Sequence, residues 1–239
     1  MDNLARPASA HADSSQDFAG KLIASILQSG SSATIAPIQK FLNDSKNAKD
    51  LRSSVKALRP ALIADIAHFL CISHGRHPGI VDHAATKIID GPARPWLVQA
   101  MDGFAAERVY LNNLTVAAGP ITRQAGQEKI TAIITAQSKS FEMLATSDRK
   151  GTAAGAAIAF VLDWTAARVI LDECALALSI EPAGLELPDR AACADLAEAL
   201  GQDKAKQRAM TFGSEQLLAQ QIGLWQLIAA RHHENMHRS

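Results

Sequence analysis

Apolar residues recur every three or four positions along most of the chain, and no stretch alternates apolar and polar residues between hairpin-type turns. The pattern predicts an all-α protein, a mostly antiparallel helical bundle with further helices packed at its ends. Periodicity begins near Asp17, with Phe18, Leu22, Ile26 and Leu27 on one stripe and Gly30 placed as a C-cap. Thr34 to Leu42 predicts a second short helix, and Asn43 to Asp50 a polar loop. Leu51 to Leu58 is a third apolar-periodic piece. Pro60 is suited to open a new helix to about Ser73, which buries Leu62, Ile66, Phe69 and Leu70.

The Gly- and Pro-rich run from His74 to Gly79 predicts a break, followed by a short helix over Val81 to Ile89. Pro95 opens a long helix over about 95–117, closed by Gly119-Pro120. Another helix covers about 125–146, with Ile130, Ile134, Phe141 and Leu144 inward. After a tight connection at Ser147 to Gly151, the longest helix runs to about Ser179. Glu181 to Pro188 holds two prolines and a glycine and predicts a linker. Helices then follow at about 189–200, 203–211 and 214–232, punctuated by Gly201 and Gly213. The whole predicts a single domain over 17–232, with a core at about 50–179, the linker 181–188 and C-terminal helices 189–232 packing back on that core. Residues 1–16 are small and polar and predict a disordered tail, and 233–239 a polar tail.

Composition sharpens this picture. About 45 alanines and only 5% aromatic residues favour closely packed helices over sheet. The 24 basic residues balance 24 acidic ones, which argues against a strongly basic nucleic-acid binder. Three cysteines in so long a chain argue against a disulfide framework. The start lacks the apolar stretch of a secretory signal. The most apolar run, Ala153 to Leu162, is short for a bilayer and is followed by Asp163, Arg168, Asp172 and Glu173. A cytoplasmic protein without a membrane span is expected.

Candidate chemistry comes from polar residues on apolar faces. Glu107 and Arg108 fall near the inward stripe of the 95–117 helix, and Asp163 interrupts the apolar run of the longest helix. A buried charge needs a partner. Glu107, Asp163 and Asp148 could converge with Arg108 as metal ligands or acid–base groups; equally, each acid could meet an arginine that locks helix register, with Arg108 or Arg149 expected for Asp163. Arg168 lies four residues from both Trp164 and Asp172, a spacing that allows an ion pair and an indole stack. Asp65, His68, Cys71 and His74 form a loose stripe at three-residue spacing, continued by His77, and imidazole with thiolate suits zinc or iron. The competing reading is a helix end with histidines near its C-terminal dipole.

Gly151 and Gly155, followed by Ala156, Ala157 and Ala159, would let another backbone or a flat ligand approach closely. Glu234-x-x-His237 has ligand spacing but stands in the polar tail. Walker A, GxGxxG and GxSxG sequences are absent from the chain. Two functional readings follow. One is a helical bundle that binds a small ligand or a metal at an internal polar cluster. The other is a non-catalytic interaction or regulatory protein, a homodimer formed through Ala-rich helix faces.

Overall fold

A computed structural model describes residues 8–47, 53–89, 91–121 and 127–238. Its α-helices are α1 (Ala8–Ser29), α2 (Ser32–Asn47), α3 (Ser53–His74), α4 (Ile80–Ala85), α5 (Arg94–Ala118), α6 (Gln127–Ala145), α7 (Thr152–Ala177), α8 (Arg190–Leu200) and α9 (Lys204–Arg238), with a 3-10 turn at Gly91–Ala93. Among the described residues there is no strand, so the all-α class holds. Contacts fix the directions. His74 meets Gln221 and Asp65 meets Arg231, so α3 and α9 are antiparallel. Thr115 meets Ala67 and Asn112 meets Cys71, so α3 and α5 are antiparallel too. α5 and α7 run the same way, with Glu107 against Trp164 and Tyr110 against Asp172.

The axis of the bundle is α7. Most of its residues from Thr152 to Ala175 are buried, on every side of the helix. By length and composition it would suffice to cross a membrane, but 83% of its most apolar window lies buried inside the protein. Its alanines, Ala153, Ala154, Ala156, Ala157 and Ala159, face the interior. The most extensive packing is between α7 and α9. Gly151, at φ 105°, starts α7. A Cβ on Gly155 would sit 1.9 Å from the Met210 carbonyl oxygen, and one on Gly213 would sit 2.1 Å from that of Thr152. The small-residue spacing therefore serves a helix crossing in which two backbones nearly touch.

Several expected boundaries move. The chain is helical from Ala8, inside the stretch expected to be an unstructured tail, because Ala8, Ala10 and Ala12 supply strong helix propensity. α2 continues to Asn47, through part of the expected loop; residues 48–50 lie outside the described ones. Pro60 does not open a helix but sits inside α3. Its local cost is about 3 kcal/mol, and the burial of Leu62, Ile63, Ile66, Phe69 and Leu70 on that helix outweighs it. Likewise, 203–211 and 214–232 form one helix. Gly213 marks the crossing with α7 rather than a stop, and α9 runs on to Arg238 through the expected tail. Residues 181–188 hold no helix, and Asp189 caps α8 by accepting from the Ala192 N–H at 2.8 Å.

The C-terminal helices pack back as predicted, α9 on α7 and α8 on α1. One continuous core also takes Leu22, Ile23, Ile26, Ile35, Ile38 and Leu42 from α1 and α2, so it reaches beyond 50–179. All three cysteines are free. Burial pushes the Cys174 thiol up to about 12 and the Cys193 thiol to about 11, which makes both inert packing residues.

Candidate functional site

Glu107 finds its arginine on α7. Arg168 Nη1 donates to Glu107 Oε1 at 2.5 Å, and Trp164 Nε1 donates to Oε2 at 2.8 Å. Arg168 also reaches Asp172 Oδ1 at 3.0 Å and the Ala183 carbonyl of the 181–188 linker at 2.5 Å. The Tyr110 hydroxyl donates to the same Asp172 oxygen at 2.9 Å. The Arg168–Asp172 pair matches its i,i+4 spacing. The guanidinium does not stack on Trp164, however; it lies 4.5 Å from the centre of the Tyr110 ring, while the indole is held by Glu107. Burial pushes the Glu107 carboxyl above its ordinary range, opposed by the Trp164 N–H and the Arg168 charge. Every member of this network is satisfied within the protein, so it pins α5, α7 and the linker together.

The other acid–base candidates do not join it. Arg108 pairs with Asp82 of α4 at 2.9 Å, and the same carboxylate accepts from the Gly79 N–H at 2.7 Å. Asp148 is exposed and pairs with Lys87 at 2.5 Å, which lowers its carboxyl pKa. Arg149 lies over the Phe212 ring. Among the described residues, Asp163 meets no arginine. Its oxygens accept from the Ser31 N–H and the Ser31 hydroxyl, each at 2.6 Å, so it ties α7 to the start of α2. Gly30 is what allows this, because a Cβ there would lie 2.7 Å from Asp163 Oδ1.

Burial pushes the Asp163 carboxyl upward, only partly countered by the two Ser31 donors. For an acid whose folded pKa is raised, the native state holds the proton more tightly than the unfolded chain. Its contribution is therefore greatest below 3.8 and is lost as pH rises through the folded pKa. Asp163→Ala should cost about 1–3 kcal/mol, the scale for an unsatisfied buried donor and less than a stranded arginine would cost. Asp163→Asn should melt close to wild type at neutral pH and lose this pH dependence. Thermal melts from pH 3 to 8 check both; a large loss for the asparagine variant would rule out the Ser31 account.

The Asp65–His77 stripe is dispersed in the same way. Asp65 pairs with Arg231 at 2.7 Å, both buried. His68 Nε2 donates to the Gly119 carbonyl at 2.7 Å, and Cys71 donates to Asn112 at 3.4 Å. His77 faces Asp82 at 3.3 Å. His74 contacts Gln221 at 3.0 Å amid the Phe141, Phe160 and Trp164 rings, and burial pushes its pKa down to about 4. A neutral His74 therefore contributes stability above pH 6.5 that is lost as pH falls toward 4. Among the described residues, no group of three or more His, Cys, Asp and Glu is placed to hold a metal. Along α3, three-residue spacing rotates Asp65, His68, Cys71 and His74 toward different neighbours, and His77 lies beyond the helix end in the turn before α4.

What the region does build is a cleft where the end of α3 and the turn before α4 meet α6. A cavity of about 100 Å³ is lined by Ser73, Arg76 and His83 on one side and by Thr135, Ser138, Lys139 and Glu142 on the other, with Phe141 beside them. Lys139 and Glu142 form a mostly exposed pair at 3.0 Å. Ser73 is buried, and its hydroxyl has no hydrogen-bond partner among the described residues. Arg76 is exposed and has no carboxylate partner among them. Arg76, Lys139 and Glu142 together give the cleft one excess positive charge. Arg76, His83 and Lys139 lie on a turn and two helices and converge only in the fold, so no spacing along the chain signals them. Arg231 could have been found, since it stands three residues after Ile228 on an inward stripe.

A family model of unknown function, DUF6975, matches residues 42–235. No curated protein and no solved structure matches the chain.

Proposed function

The chain belongs to DUF6975, a family of unknown function, and we propose that it binds a small oxyanion, a carboxylate or phosphate group, in the cleft between α3, α4 and α6. The observation that carries this reading is the convergence of Arg76, His83 and Lys139 on one cleft whose only lining carboxylate is Glu142. Ser138 and Thr135 line the same cleft and bring hydroxyl groups to its other wall. The Arg76 guanidinium, the Lys139 ammonium and an imidazole N–H of His83 can all donate, and charge-assisted bonds to an oxyanion are the strong class.

Size narrows the ligand. About 100 Å³ holds roughly three water volumes, below the ~300 Å³ of a pocket for a drug-sized molecule. A free phosphate or small carboxylate fits whole; a larger ligand would insert only its anionic end. The buried Glu107 network supports no rival catalytic site, because its donors and acceptors are already engaged with one another.

Titration with inorganic phosphate, and separately with acetate, should raise the melting temperature and shift amide resonances around Ser73 and Ser138. Arg76→Ala should weaken phosphate binding about tenfold or more, corresponding to one charge-assisted bond of about 1.5–3 kcal/mol. Lys87→Ala, which removes a cation that does not line the cleft, should change nothing. Phosphate affinity that is equal in wild type and Arg76→Ala, or saturation by chloride alone, would end this reading.

A further inference from the structure

Near its C-terminal end, α9 exposes His233 and His237. Four-residue spacing places both on one face of the helix. Their Nε2 atoms lie 3.2 Å apart, and the rings meet edge to face with centroids 4.3 Å apart. That separation is the bite of a chelating pair. With metal–nitrogen bonds of about 2.0–2.1 Å and a tetrahedral angle, two ligating nitrogens stand roughly 3.3 Å from each other.

The opposite side of the same turn is anchored in the core. Arg231 donates to buried Asp65 at 2.7 Å. His232 is buried with its ring 4.2 Å from that of Phe41 on α2. The backbone beneath the two exposed histidines is therefore held helical by packing, and the pair is pre-organised before any ion arrives.

We propose that His233 and His237 form a two-imidazole surface site for a divalent late first-row transition metal, the zinc, nickel and copper class. Imidazole nitrogen suits these ions and is a poor ligand for magnesium or calcium. Among the described residues no third His, Cys, Asp or Glu joins the pair, so water occupies the other coordination positions and the ion exchanges freely. The site is separate from the oxyanion cleft on α3, α4 and α6, and it stands or falls independently of it. It also lies apart from the dispersed residues of the 65–77 stripe.

The test is calorimetric titration of the full chain, prepared without a histidine tag, with zinc chloride and with magnesium chloride. One zinc should bind per chain, with no magnesium heat, and zinc should raise the melting temperature because it binds only the helical pair. His233→Ala and His237→Ala should each weaken zinc about tenfold or more, the scale on which even outer partners of a ligating histidine matter. Both side chains are exposed, so circular dichroism of either variant should match wild type. His77→Ala, at the other exposed histidine with an acidic neighbour, should leave zinc binding unchanged. Equal zinc affinity in wild type and both alanine variants overturns the proposal, as does magnesium competing on equal terms.

Discussion

Gly155→Ala is expected to destabilise the protein by about 3 kcal/mol or more, although it adds a single methyl group to a helix. Helix propensity alone predicts the reverse, a gain of about 1 kcal/mol for Ala over Gly. Packing decides the sign. The added Cβ would sit 1.9 Å from the Met210 carbonyl oxygen and 2.6 Å from that residue's carbonyl carbon and Cα. These are backbone atoms in the second turn of α9, not the end of a flexible side chain, so relief requires moving one helix away from the other. At about 2–4 °C per kcal/mol for a chain of this size, the melting temperature should fall by roughly 10 °C. Gly213→Ala meets the Thr152 backbone from the other side and should behave alike. Gly20→Ala is the matched control. It stands in α1 with nothing within 4 Å of the new Cβ, so it should be neutral or slightly stabilising. A Gly155→Ala protein that melts at or above the wild-type temperature would show that α7 and α9 do not cross this closely.

Arg168→Leu should cost a similar amount, about 3–5 kcal/mol, for a different reason. The guanidinium is nearly inaccessible and serves Glu107, Asp172 and the Ala183 carbonyl together. Without it Glu107 keeps only the Trp164 N–H, and burial then acts on an unpaired carboxylate. Glu107→Leu should be milder, because Arg168 retains Asp172 and the linker carbonyl. The double variant should be less damaged than the two single losses predict, with a coupling of about 1–3 kcal/mol, since two apolar side chains can share the space that a stranded ion cannot. Urea unfolding of the four proteins measures this. Additive losses would mean that the two residues do not interact in solution.

Much of this architecture was legible in the residues alone. Periodic apolar stripes and abundant alanine determine an all-α chain, because helix formation depends on neighbours three and four positions away. The same locality made the Arg168–Asp172 pair readable, and it exposed Gly151 and Gly155 as a place for close approach. Local signals also misled where they met packing. Pro60 and Gly213 are breakers by propensity, yet α3 and α9 run through them, because burying a long apolar face is worth more than the local cost.

Only the tertiary structure could choose partners. Asp163 is 132 positions from Ser31, and Asp65 is 166 positions from Arg231. Nothing in the spacing of either acid distinguishes a hydroxyl and an amide from an arginine; the crossing of the helices decides which donor faces a carboxylate. The 65–74 stripe scattered for the same reason, each side chain taking the neighbour its rotation on α3 offered, while His77 stands in the turn beyond the helix. Arg76, His83 and Lys139 share a cleft because the turn before α4 lays the end of α3 beside α6. The chain's own pattern determined which segments are helices and which faces are apolar; the packing of those faces determined where its charges meet.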